Sequence, residues 1–97
     1  MRKLLLASAA SVIAATAAAE DVPIGVILGF TGPIESLTPH MAQSAELAME
    51  EMNESGNFLD GHTLVPVRAD STCIDSAAAT AAAERLITDD GIVGIMG

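Results

Sequence analysis

The chain has 97 residues, 13 acidic side chains against 4 basic ones, and a formal net charge of −9; it has no Trp or Tyr, two Phe, one Cys and two His. So few cations exclude a nucleic-acid binder that works through phosphate contacts, and one Cys cannot staple a disulfide miniprotein. His40, His62 and Cys73 are scattered singles rather than a zinc module, and 51% hydrophobic residues is too many for a solvated, disordered coil.

Met1-Arg2-Lys3 is a short positive start, and Leu4 to Ala19 carries no charge. The first acids are Glu20 and Asp21. A positive start, an apolar run and a small-residue A-x-A end make a secretory signal peptide. Ala17 and Ala19 would fill the two small peptidase pockets, with cleavage before Glu20. The rival is a membrane anchor, but the uncharged run is 16 residues and Ala-rich, short of the ~20 strongly apolar residues a span needs. The expected division is a signal over 1–19 and a mature segment over 20–97, with no membrane span after cleavage. That segment keeps only Arg68 and Arg85 as cations against all 13 acids, a net charge of −11, which suits an exported soluble protein near anionic lipid.

Val22 to Phe30 is apolar and rich in β-branched residues, with Ile24 to Leu28 apolar on both faces. It reads as a parallel strand covered on both sides. Thr31-Gly32-Pro33 is a turn. Thr38-Pro39 reads as a helix start, with Thr38 as the cap. Met41, Ala45, Ala48, Met49 and Met52 then fall on one face, expected to be core. Glu46, Glu50 and Glu54 share another face, expected to point to water without basic partners. Gly56 is a helix stop, and Asp60-Gly61 a turn.

His62 to Arg68 reads as a second strand, at a sheet edge because Pro66 lacks an amide donor. Asp70-Ser71-Thr72-Cys73 is a polar loop. Asp75 is placed to cap a second, Ala-rich helix over Ser76 to about Thr88. Asp89-Asp90-Gly91 ends it, and Ile92 to Gly97 reads as a third strand. The order is β-α-β-α-β: an α/β fold with a parallel sheet and helices on its faces, preceded by a signal-peptide helix.

Ligands of open parallel sheets bind beyond the carboxyl ends of the strands, and the loop Gly29-Phe30-Thr31-Gly32-Pro33 sits there. It could bring backbone groups to a small ligand. The plainer alternative is a tight strand-to-helix turn, and the residues alone favour it, since no G-x-G-x-x-G is present. Cys73 reads as half of a disulfide with a partner outside this chain, or as a buried free thiol. His40 and His62 read as surface residues. Asn53-Glu54-Ser55 matches a glycosylation sequon inside a helix and reads as chance. No nucleophile–base pair, metal set or cofactor motif is visible.

These residues in this order resemble the branched-chain amino acid type of exported solute-binding protein that serves ABC importers. The resemblance rests on the signal and on the strand Ile24-Gly25-Val26-Ile27-Leu28. The G-x-x-S/T-G-P-type loop Gly29 to Pro33 follows, then a helix ending through Glu51, Asn53 and Gly56. Gly61 to Val67, Asp70-Ser71-Thr72-Cys73, Ala77 to Ile87 and Gly91 to Gly97 complete it. It implies that 20–97 begin the first, N-terminal lobe of a type I periplasmic-binding fold, incomplete on its own, whose two lobes close on a solute. It implies that Thr31, Gly32 and Pro33 shape the cleft wall. Leu37 falls where leucine-type binders carry an aromatic side chain, which points to a different or larger solute: an amino acid, an amide or an organic acid. It implies that Cys73 pairs with a cysteine beyond Gly97. The implied protein is periplasmic, is not an enzyme, needs no cofactor, and hands its solute to an ABC permease. The alternatives are a ligand-sensing module of the same fold, as in amide-responsive regulators or receptor ectodomains, and an exported doubly wound enzyme.

Overall fold

A computed structural model describes residues 19–97; Ala17 and the rest of the expected signal, apart from Ala19, lie outside the described residues. Strand β1 (Asp21–Leu28) leads to helix α1 (Thr38–Ser55), a 3-10 turn (Leu59–Gly61), strand β2 (Thr63–Asp70), helix α2 (Ser76–Thr88) and strand β3 (Gly94–Met96). The sheet order is β2-β1-β3 and both pairings are parallel. β1 pairs with β2 along its whole length, from Asp21 opposite Thr63 to Leu28 opposite Asp70. Pro66 sits on an edge strand, as its missing donor requires.

The chain moves from β1 to one side and then back past β1 to the other. Crossovers of one hand therefore put the two helices on opposite faces. Side-chain alternation along β1 agrees. Val26 and Leu28 pack with Ala42 of α1, joined by Phe30 and Met49. Ile27 instead joins the cluster of Ala69, Ala82 and Leu86, with Val67 and Ile92. Gly25 faces this second cluster: a Cβ there would lie 2.9 Å from Leu86 Cδ1, so its absence lets α2 settle on the sheet.

The helix ends follow local chemistry. Asp75 Oδ1 accepts from the amides of Ala77 (2.9 Å) and Ala78 (3.2 Å), capping α2 as expected. Gly56 closes α1 at φ 69 in the left-handed region. The start of α1 differs from expectation. Leu37 occupies the cap position without a side-chain bond, and the buried Thr38 hydroxyl donates to Gly29 O at 3.0 Å. That bond fastens α1 to the end of β1, a use that a local cap reading does not foresee.

Two other expectations about α1 are corrected. Its buried positions are Thr38 and Ala42, while Met41 and Met52 are about half exposed; of the methionine stripe, Met49 packs against the core, and Met41 and Met52 border grooves. Glu46 does have a basic partner: Arg68 of β2 donates from Nε at 2.5 Å and from Nη2 at 3.0 Å. The same guanidinium lies 5.3 Å from the centre of the Phe30 ring. Asn53, read as a chance sequon, ties α1 to β2. Its amide accepts from Leu64 N at 2.8 Å and donates to Leu64 O at 2.9 Å.

Candidate functional site

The sheet order reverses direction at β1, and ligands of such sheets bind outside the carboxyl ends of the strands at that switch point. Two loops stand there. One runs from Gly29 to Leu37, between β1 and α1; the other runs from Ser71 to Asp75, between β2 and α2. Because Leu28 and Asp70 are in register, the strands end level and the loops begin side by side.

They are packed against each other. A Cβ on Gly29 would lie 2.8 Å from Cys73 Cβ and 3.3 Å from its amide nitrogen, and one on Gly32 would lie 2.8 Å from Thr72 O. Gly32 also has φ +102, where side chains are strained. The expected Gly-rich turn is thus a close approach between neighbouring loops. Thr72 and Cys73, at φ 57 and 70, both hold left-handed backbone without being glycine. For the β-branched Thr72 that is unusual and costs energy that the surroundings must supply.

Asp70 joins the loops. Its Oδ2 accepts from the Thr31 hydroxyl at 2.6 Å. Its Oδ1 accepts from Thr72 N at 2.8 Å and Thr31 N at 3.3 Å. The Thr31 hydroxyl, then the Thr72 amide, hold this carboxyl below its ordinary value, helped by the amides of Thr31 and Phe30 and opposed by desolvation. Glu46 is lowered in the same way by its hydrogen bonds from Arg68, and Arg68 is raised in return. Sequence reading placed Asp70 only in a polar loop. Its partner Thr31 is 39 positions away, and no local pattern announces that pairing.

The structure brings Thr31, Gly32 and Pro33 together as an exposed rim, and Leu37 is exposed at the foot of α1. Cys73 is an exposed free thiol across from Gly29, not a buried one. It lines a hollow of about 380 Å³ with Ser71, Ile74, Asp75, Ser76 and Ala79. A second hollow of about 570 Å³ opens at the carboxyl ends of β1 and β3, lined by Leu28, Met41, Ser44, Ala45, Met96 and Gly97. Thr31, Gly32, Pro33 and Leu37 line neither. An apolar groove of about 290 Å³ continues along α1 past Met49 and Met52. His40 is exposed, but His62 is half-buried with its Nδ1 shielded and without a hydrogen-bond partner among the described residues, unlike the surface residue expected. Among the described residues no group of three or more His, Cys, Asp or Glu is placed to hold a metal ion, and no helix is long and apolar enough to cross a membrane.

A family model described as periplasmic binding protein matches residues 21–97. The chain is similar to Leu/Ile/Val-binding protein homolog 7 of Brucella suis, 36% identical over 99 residues covering 100% of this chain and 24% of that protein. It is also similar to homolog 8 of the same organism, 36% identical over 92 residues covering 95% of this chain and 22% of the relative. The chain therefore spans about a quarter of the length of the curated relatives it matches.

Proposed function

The chain belongs to the periplasmic binding protein family, and from that premise we propose that it carries the opening part of an extracytoplasmic solute receptor for an ABC importer. In this reading residues 1–19 are a signal cleaved between Ala19 and Glu20, and 20–97 begin the first of two lobes. A small polar solute enters between the lobes, hinge closure holds it, and a permease receives it. No bond is made or broken, so the protein is a carrier and not an enzyme. Its place of work is the periplasm.

The observation that carries this reading is the pair of interlocked loops at the carboxyl ends of β1 and β2, where open parallel sheets take ligands. Thr31, Gly32 and Pro33 form the wall that faces the solute, and Leu37 stands beside it. The relatives' names point to an amino acid as the solute. Leu37, where leucine-type binders carry an aromatic ring, leaves more room on that side and favours a different or larger one. Cys73, exposed in the adjoining loop, pairs with a cysteine of the longer protein.

The test is calorimetric titration of the purified full-length protein with the common L-amino acids, their amides and small organic acids. Saturable binding of one class, with the solute recovered unchanged, is the expected result. Binding of none, or chemical turnover of any, would overturn the proposal.

A further inference from the structure

The loop from Phe30 to Leu37 packs against its surroundings at Phe30 and Gly32 but makes few hydrogen bonds beyond itself. Its bonds from Phe30 N to Leu28 O, Glu35 N to Gly32 O and Leu37 N to Ile34 O are all local. Among the described residues, the hydrogen bonds joining this segment to a distant part of the chain are those of Thr31, and both end on the carboxylate of Asp70. The same carboxylate takes the amide of Thr72, so one side chain fixes the exposed rim of the first loop and the left-handed start of the second.

We infer that Asp70 is a positioning residue of the solute cleft: it holds the Thr31-Gly32-Pro33 wall in one arrangement and thereby sets how tightly solute is bound. The inference rests on the reading of these loops as a solute-facing wall. A carboxylate suits the task because it only accepts, and here it meets three donors at once. Bonds to a charged acceptor are shorter and stronger than neutral ones, and the 2.6 Å contact from the Thr31 hydroxyl fits that class. Released from Asp70, the wall would have to be ordered again at each binding event, and that cost would appear as lost affinity.

The experiment uses full-length protein with L-leucine, L-isoleucine and L-valine as probes, comparing wild type with Asp70→Ala and Asp70→Asn. Affinity is read by calorimetry, and protection of the Thr31 and Thr72 amides by hydrogen–deuterium exchange without solute. Asp70→Ala is expected to weaken binding by about tenfold or more and to expose both amides, while the protein still unfolds cooperatively. Asp70→Asn keeps an acceptor for both amides and offers a donor to the Thr31 hydroxyl. It is expected to restore affinity to within about threefold of wild type. Wild-type affinity in Asp70→Ala, or equal losses in both variants with equal falls in unfolding temperature, would overturn the inference. A wild type that binds none of the probes would sink the proposed solute class instead. In that case Thr31 protection decides: unchanged in Asp70→Ala, it overturns the role of Asp70; lost in Asp70→Ala and kept in Asp70→Asn, it supports it.

Discussion

Asp70 accepts all three of its hydrogen bonds as charge-assisted ones only while ionised; once protonated, it keeps the contacts at best as neutral bonds, with its own O–H donating to the Thr31 hydroxyl. Its folded value is lowered, chiefly by the Thr31 hydroxyl. The stability it adds is therefore present above the ordinary carboxylate value of about 4 and fades as pH falls through the lower folded value. Thermal unfolding of the full-length protein between about pH 7 and pH 2.5 should show wild type above Asp70→Asn at neutral pH, with the gap closing in acid. Glu46 titrates in the same direction, but it is present in both proteins and drops out of the difference. A gap that stays constant across the range would refute the assignment. Gly29 carries a second prediction at this scale. A methyl group there meets Cys73 Cβ at 2.8 Å and its amide nitrogen at 3.3 Å, and neither is the loose end of a side chain. Gly29→Ala should cost about 1–3 kcal/mol by overpacking. Gly56→Ala, with φ +69 and nothing within 4 Å, should cost only the backbone strain of about 1–2 kcal/mol. Denaturant midpoints of the two variants decide between crowding and conformation as the source of each loss.

An edge strand leaves alternate residues with unused amide and carbonyl groups, and at Leu64 of β2 the side chain of Asn53 takes both. Helix α1 is fastened to the strand by a side chain that imitates one step of a ladder. Asn53→Ala should cost about 1–3 kcal/mol, since both Leu64 groups lose their partner. Asn53→Asp is nearly isosteric but cannot donate to Leu64 O, so it should recover little of the loss. An Asp variant as stable as wild type in a urea titration would show that the amide donor contributes nothing. This contact also marks where sequence reading stops. The alternation of strands and helices was legible because its signals are local: apolar runs, Gly56, Pro66, and Asp75 ahead of an alanine-rich stretch. The edge position of β2 followed from one missing donor in Pro66. What was not legible runs between elements. The Arg68 pair of Glu46 is 22 positions away, the Asp70 partner of Thr31 is 39 away, and Asn53 reaches Leu64 across 11. Thr38 was misread for a related reason: a hydroxyl at a helix start suits a cap by local rules, yet packing sends it to Gly29 O. The candidate loop was visible as a turn, whereas its contact with the second loop depends on strand register.

The apolar residues of the whole unit are divided unevenly between inside and outside. Among the described residues the largest fully buried side chains are Leu86, Val26 and Thr38, while Met41, Leu47, Ile74 and Val93 are each at least half exposed. The grooves bordered by Met41, Met49, Met52 and Met96 form a nearly continuous apolar strip along α1 and the end of β3. β3 contributes only three residues to the sheet and pairs on one side, with β1. A unit this small already buries a low fraction of its surface, ~60% for about 60 residues, and parallel pairing is slightly weaker per residue than antiparallel. Burying too few large side chains leaves conformational entropy poorly opposed. Residues 20–97 expressed alone should therefore bind a hydrophobic dye, self-associate with rising concentration, and lack a sharp thermal transition. In the full-length protein, about four times as long if it matches its relatives, the strip is expected to be covered and dye binding to fall. The two polypeptides can be compared directly by calorimetry and light scattering. A cooperative, concentration-independent unfolding transition of residues 20–97 without dye binding would show that the two clusters around Val26 and Leu86 suffice, and that the exposed methionines are an ordinary surface.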